Sequence, residues 1–213
     1  MLRRGLAHPS SMETILTQRG DYLVFYAEGG QLAADAFSRF RNAAAQGAEL
    51  IYADEDISLA NNRTKRMKKP EWSPDTLRSC NYIGSPFAAS KSLCRAAGLP
   101  RCNTSAERYA FLLRIAALRP NVRHIPQVLF TGPAEQTSAD ITGLREVLRA
   151  EGCGGLAMPG AVPGSFCVRY PIPSGTKVSC IAIVQGDVNA VRATLESIAH
   201  QNTYEDIEYL VCD

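Results

Sequence analysis

The sequence predicts an α/β protein that holds one domain and the beginning of a second. Short apolar runs alternate with segments of helical spacing, which is the pattern of a sheet covered by helices. The length of 213 residues allows one full domain or about one and a half. Between residues 152 and 175 the chain holds six glycines and four prolines, a change in composition that indicates a linker.

The first part of the chain is predicted to contain four strands and five helices. Apolar residues at Leu32, Ala36 and Phe40 have helical spacing, and Gly47 stands where such a helix would end. The expected strands are 22–26, 49–53, 83–89 and 124–130. The other expected helices are a short one from Pro74, 91–97, 106–117 and one that Ser138 caps and that runs to about 150. Residues 61–69 are predicted to be a polar loop.

The second part of the chain has the pattern of one β-α-β unit. Residues 178–184 and 207–212 are typical of strands, and residues 189–200 have helical spacing. The predicted organisation is therefore a first domain over 1–150, a linker over 151–177 and a truncated second domain over 178–213. Because a parallel sheet of two strands cannot bury both faces, we expect exposed apolar surface and self-association.

The overall composition is that of an ordinary globular protein. A net charge of +2 and 46% hydrophobic residues argue against disorder and against a generally basic nucleic-acid binder. No apolar run approaches the ~20 residues of a transmembrane helix, and His8 and Pro9 interrupt the stretch that a secretory signal would need. Seven cysteines without a Cys-x-x-Cys pair are expected to stay reduced. We therefore expect a cytoplasmic protein, with the inner face of the membrane as a second location.

Six sequence blocks between residues 20 and 133 occur in the order of a known enzyme family. The blocks are 20–22, 32–36, 51–56 (IYADED), 69–75 (KPEWSPD), 81–84 and 124–129. This stretch resembles the second half of the GT-A catalytic domain, a Rossmann-like fold, of family 2 glycosyltransferases. The similarity is greatest to bacterial members that carry two such domains in tandem for polysaccharide synthesis. Residues 178–213 resemble the opening of another such domain, through positions 195–201 and 204–208.

The resemblance implies a reaction and a metal. Family 2 enzymes transfer a sugar from a nucleotide diphosphate to a glycan acceptor with inversion. They hold Mn²⁺ or Mg²⁺ through an Asp-x-Asp motif, and the metal neutralises the departing diphosphate. The matching positions here are Ala27-Glu28-Gly29-Gly30, where Glu28 is the one carboxylate. We interpret Glu28 as a remnant of the metal site and expect that this chain itself does not bind the metal.

The same resemblance places the catalytic base at the start of the helix expected over 106–117. The family has a Glu/Gln-Asp pair at this point, and this chain has Glu107-Arg108. A guanidinium cannot accept a proton at working pH, so Glu107 becomes the candidate base. The His-Trp-Arg type motif of many relatives is replaced by Thr-Gly-Pro at 131–133. The chain is therefore expected to lack a complete active site.

Candidate acceptor-binding residues follow the strand expected over 49–53. Asp54 and Asp56 stand at the carboxyl end of this strand, where α/β sheets bind ligands, and could orient an acceptor. The alternative is a solvated acidic strand end. Trp72, the single tryptophan, could stack on an acceptor sugar or pack in the core.

A basic segment follows the acidic one. It contains Arg63, Lys65, Arg66, Lys68 and Lys69 without interleaved aromatic residues, which argues against nucleic-acid binding. The segment could attract an anionic glycan, a lipid-linked acceptor or a membrane surface, or it could be an ordinary solvated loop.

These features together predict a portion of a glycosyltransferase-like protein. Residues 1–150 would be the acceptor-side half of a degenerate GT-A domain, and Asp187 and Asp213 would contact the nucleotide in the second domain. The partners implied for the parent protein are a nucleotide sugar and a glycan acceptor, with peripheral membrane association as a further expectation. Whether this chain is itself an enzyme stays open. The alternative function is a non-catalytic carbohydrate-binding or scaffolding module of a polysaccharide synthase.

Overall fold

The computed structural model describes residues 20–59, 63–98, 104–134, 141–183 and 186–212. The chain divides into two units, which comprise Met1–Tyr170 and Pro171–Asp213. Both units combine strands with helices, so the prediction of an α/β protein is confirmed. Within the described ranges, no helix is long and apolar enough to cross a membrane.

A six-stranded mixed sheet forms the centre of the larger unit. Its strands are β1 (Tyr22–Phe25), β2 (Gln31–Leu32), β3 (Leu50–Ser58), β4 (Thr64–Met67), β5 (Phe87–Ser90) and β6 (Val122–Pro133). The spatial order is β1-β5-β3-β6-β2, and β4 pairs with the distal part of β3. Strands β3 and β6 are parallel, whereas the other pairs are antiparallel.

Helices cover both faces of this sheet. On one face, α1 (Ala36–Ala45) contributes Ala36, Phe40 and Ala43 to a core cluster that also contains Ile51 and Ala53 of β3. The other face is covered by α2 (Pro74–Ser79), α3 (Lys91–Ala96), α4 (Ser105–Ala117) and α5 (Ile141–Glu151). Successive residues of β3 are buried on opposite faces, which is why this strand is continuously apolar from Leu50 to Ala53.

Most predicted elements of the larger unit are confirmed, and two are wrong in detail. Residues 61–69 were expected to be a polar loop, but 64–67 form β4, because their backbone pairs with β3. The strand expected over 83–89 is limited to Phe87–Ser90. Gly47 has a positive φ of 85° after α1, as its predicted role at the end of that helix requires. The proposed cap Ser138 lies outside the described residues.

A β-hairpin occupies part of the stretch that the sequence indicated as a linker. Strands β7 (Leu156–Pro159) and β8 (Phe166–Arg169) pair antiparallel and belong to the larger unit. Phe166 is buried and stacks on Tyr109, with ring centroids 6.1 Å apart. The division into domains at 150 and 178 stays a prediction.

The smaller unit has the predicted β-α-β arrangement. Strands β9 (Val178–Ile183) and β10 (Ile207–Cys212) are parallel, and α6 (Val188–Gln201) connects them. No residue of α6 is buried, and Ile181 and Ile183 are 61% and 71% exposed. The unit therefore leaves apolar side chains of its sheet uncovered, and self-association stays a prediction.

Candidate functional site

Three consecutive acidic residues, Asp54, Glu55 and Asp56, lie at the carboxyl end of β3. The pairing of β3 with β6 is regular up to Ala53 and shifts register on both sides of Asp54. The extra residues of this irregularity lie in β6, which advances from Ile125 to Phe130 while β3 advances from Ala53 to Glu55. Asp54, Glu55 and Asp56 have three different sets of partners, although they are consecutive in sequence.

Asp54 lies inside the protein, with 5% of its surface exposed. Its Oδ1 accepts the backbone N–H of Lys69 at 3.0 Å and lies 2.9 Å from Nε2 of His124. The imidazole of His124 stacks on the ring of Tyr52, with centroids 4.7 Å apart. Both hydrogen bonds join segments that are distant in sequence, so the Asp54 carboxylate fixes the backbone around the site.

Glu55 forms an ion pair with the buried ammonium of Lys69, at 3.4 Å from Oε1 to Nζ. The same Nζ donates to the carbonyl oxygen of Ser85 at 2.6 Å and to that of Ile83. A side chain on Gly84 would place its Cβ 2.7 Å from the Glu55 carboxylate, and its φ is +50°, so glycine is required at this close approach. Lys69 thus joins β3 to the segment that precedes β5.

Burial dominates the electrostatics of this ion pair. It lowers the pKa of Lys69 to about 8, although the Glu55 carboxylate favours the charged ammonium. Burial also raises the pKa of Glu55 above its usual range, with Lys69 opposing that shift. The prediction that Lys69 belongs to an exposed basic segment is wrong, since its side chain is 3% exposed.

The opposite shifts predict a pH dependence of stability. Between the folded pKa of about 8 and the ordinary value of 10.5, the unfolded chain holds a proton on Lys69 that the folded chain lacks. The contribution of Lys69 to the free energy of unfolding therefore rises with pH, by at most about 1.4 kcal/mol per pH unit. Urea unfolding at about pH 8 and pH 9, followed by Trp72 fluorescence, measures the total slope. The thiol of Cys80, whose pKa burial raises, titrates in the same window and opposes the rise, so the slope of Lys69 is obtained by comparison with a variant that lacks the ion pair.

The control for this measurement removes the ion pair. In Lys69→Met/Glu55→Leu, the rise between these pH values should be smaller than in the wild type. Equal slopes in both proteins would show that the ammonium of Lys69 keeps an ordinary pKa in the folded chain.

Asp56 is half-buried, and its side chain is 15% exposed, the same fraction as that of Glu55. Its carboxylate accepts two hydrogen bonds from Arg66 of β4, from Nε at 3.1 Å and from an Nη atom at 3.2 Å. The side chain of Arg66 is 61% exposed. Of the two expected acceptor ligands, Asp56 is the more exposed and has a partner that is open to solvent, whereas Asp54 is held by internal partners.

The segment from Pro70 to Pro74 lies against the site. Tyr52 donates its hydroxyl proton to the carbonyl oxygen of Pro70 at 2.7 Å, and the backbone N–H of Ser73 donates to the Tyr82 hydroxyl at 3.0 Å. Ser73 also caps α2 by accepting the backbone N–H of Thr76. Trp72 is half-buried and packs against the larger core cluster, so its ring is both a core contact and a partly open surface.

The turn at 27–30 offers one carboxylate. Ala27 is buried and its backbone N–H donates to the Ser85 hydroxyl at 3.0 Å, while Glu28 is exposed. A Cβ at Gly30 would lie 2.1 Å from the ring of Phe130, so this position has no room for a second acidic side chain. In the part of the chain that the structure describes, no three His, Cys, Asp or Glu residues group as a metal site. The turn by itself does not fit Mn²⁺ or Mg²⁺, and the expectation that this chain does not bind the metal stays a prediction to test.

The remaining predicted site residues have local structural contacts. Glu107 completes a capping box at α4, in which its carboxylate accepts the backbone N–H of Thr104 at 3.2 Å. Asp187 caps α6 by accepting the backbone N–H groups of Asn189 and Ala190. Asp213 lies outside the described residues. The roles expected of Glu107 in proton transfer and of Asp187 in nucleotide binding stay predictions.

The fold and the site define an α/β protein with buried charged groups at the carboxyl end of a parallel strand pair, the position at which such sheets commonly bind ligands. The chain is similar to the O-antigen biosynthesis protein RfbC of Myxococcus xanthus, with 26% identity over 210 residues, 91% of this chain and 16% of that protein. It is also 30% identical to the uncharacterized protein y4gI of Sinorhizobium fredii (strain NBRC 101917 / NGR234) over 184 residues, 78% of this chain and 20% of that protein. No protein-family profile matches the chain. The chain thus spans about a fifth or less of these relatives.

Proposed function

We propose that the chain is part of a glycosyltransferase-like protein of polysaccharide biosynthesis, and that the larger unit is the acceptor-side half of a family 2 GT-A domain. The parent protein would transfer a sugar from a nucleotide diphosphate to a glycan acceptor. The observation that carries this proposal is the buried frame around Asp54, Lys69 and His124, because it fixes the IYADED and KPEWSPD blocks at one edge of the sheet. The similarity to RfbC supports a role in polysaccharide synthesis.

The acceptor surface in this proposal consists of Asp56 and Trp72. The half-buried Asp56 carboxylate is paired with the exposed Arg66, and carboxylates accept hydrogen bonds from sugar hydroxyls. Trp72 presents part of an aromatic ring, on which a sugar can stack. Asp54 and Lys69 act behind this surface as positioning residues.

A non-catalytic carbohydrate-binding module is the second candidate function. It is favoured by two observations: the Glu107 carboxylate is used in a helix cap, and Gly30 leaves no space for a metal ligand. In this case the larger unit would hold the glycan for another catalytic domain. The two candidates share the acceptor surface and differ in whether the parent's first domain transfers sugar.

The test is calorimetric titration of the full chain with two sets of ligands. We expect soluble O-antigen oligosaccharides to bind, and UDP- or dTDP-sugars with Mn²⁺ not to bind in the micromolar range. Asp56→Asn should weaken oligosaccharide binding several-fold, because a charge-assisted hydrogen bond becomes a neutral one. Asp75→Asn is the control, since the Asp75 carboxylate is also paired with an arginine, 3.3 Å from Arg78, although its side chain is 81% exposed against 15% for Asp56.

Two outcomes would contradict the proposal. Metal-dependent nucleotide-sugar binding that Glu28→Ala abolishes would place a donor site in this chain. Failure of the whole oligosaccharide panel, with the protein folded, would remove the acceptor role from both candidate functions.

A further inference from the structure

Strand β4 places the basic segment at an edge of the sheet. Among the described strands, β4 pairs with β3 alone, so its second edge has no strand partner. The register sets Ile57 opposite Lys65, and the backbone N–H of Leu59 donates to the carbonyl oxygen of Arg63 at 2.7 Å. Residues directly opposite each other on antiparallel strands present their side chains to the same face.

One face of this hairpin therefore combines an apolar row with a basic row. We call it the basic hairpin face, formed by Ile57 of β3 and Lys65 of β4 together with Leu59, which directly follows β3, and Arg63, which directly precedes β4. Leu59 is 47% exposed, and Arg63 and Lys65 are also exposed. Glu55, the acidic residue next on this face, is paired with the buried Lys69 and not with either of the two cations.

We propose that the basic hairpin face docks on an anionic membrane surface. Leu59 would enter the interface between headgroups and acyl chains, while Arg63 and Lys65 contact lipid phosphates. A soluble anionic polymer would satisfy the cations but would gain nothing from an exposed leucine. The apolar row beside the basic row is therefore the feature that favours a lipid surface, and this inference does not depend on the proposed sugar transfer.

The experiment measures binding of the full chain to vesicles. Vesicles of phosphatidylcholine with about 30% phosphatidylglycerol should bind the protein, whereas pure phosphatidylcholine should bind it much less. Each cation near an anionic surface changes binding about fivefold, so Arg63→Gln/Lys65→Gln should lower the partition coefficient about 25-fold. Leu59→Ser should lower it about threefold to tenfold at unchanged charge.

A charge-matched variant provides the control. Arg41→Gln/Arg149→Gln removes two exposed cations from α1 and α5 and should change vesicle binding less than about twofold. The proposal fails if wild-type protein does not bind the anionic vesicles, or if the control variant loses as much binding as the hairpin variant. It also fails if Leu59→Ser binds like the wild type while heparin competes, since a soluble polyanion would then be the preferred occupant. Circular dichroism of each variant verifies folding.

Discussion

Lys69→Met is expected to lower the free energy of unfolding of the larger unit by about 3–5 kcal/mol. The substitution leaves the Glu55 carboxylate without its buried countercharge and deprives the carbonyl oxygens of Ile83 and Ser85 of their donor. Urea unfolding followed by Trp72 fluorescence measures the effect, because the single tryptophan lies in the larger unit. Lys68→Met is the matched control, since Lys68 is exposed, and it should change the free energy of unfolding by less than about 0.5 kcal/mol.

A second substitution separates the lost ion pair from the lost side-chain volume. Lys69→Met/Glu55→Leu should recover part of the stability, because the unpaired charge is removed together with its partner. Recovery should stay incomplete, since the two carbonyl oxygens still lack a donor. If Lys69→Met unfolds like Lys68→Met, or if the double variant is no more stable than Lys69→Met, then the buried ion pair does not hold the site together.

Elements with their own hydrophobic pattern could be predicted from the sequence, and β4 could not. The apolar run of β3 and the amphipathic spacing of α1 reflect burial on known faces, so pattern and structure agree. Strand β4 has the sequence TKRM, which contains three polar residues and no alternation that marks a strand. It is extended because β3 projects beyond β5 and offers unpaired backbone groups at residues 55–58. Cations on an edge strand also discourage pairing with other chains.

The candidate site could be located from the sequence, but its internal order could not. A strand followed by three acidic residues predicts charge at a sheet edge. Which carboxylate is most deeply buried depends on partners distant in sequence, the backbone N–H of Lys69 and the imidazole of His124, and no local pattern encodes these contacts. Lys69 is one of several cations in its segment, and its burial depends on carbonyl groups 14 and 16 residues away. The one available signal is Pro70, which fixes the backbone next to it.

Asp54→Leu is expected to lower the free energy of unfolding by about 3 kcal/mol. The leucine has a similar size but cannot accept the backbone N–H of Lys69 or bond to Nε2 of His124, so two buried polar groups lose their partner. Asp54→Asn keeps a carbonyl oxygen that can accept both, and the loss should be about 1 kcal/mol. Asp56→Asn should cost less than about 1 kcal/mol, because its pair with Arg66 is close to solvent.

The same variants distinguish a positioning role for Asp54 from direct contact with the acceptor. If Asp54 acts through the backbone, Asp54→Asn should lower stability and leave oligosaccharide affinity within about twofold of the wild type. Asp56→Asn should do the reverse, with nearly normal unfolding and weaker oligosaccharide binding. An Asp54→Asn protein that unfolds like the wild type yet no longer binds oligosaccharide would show that Asp54 contacts the acceptor directly. The buried carboxylate would then have to become accessible when the glycan binds, which requires the hydrogen bonds to Lys69 and His124 to open.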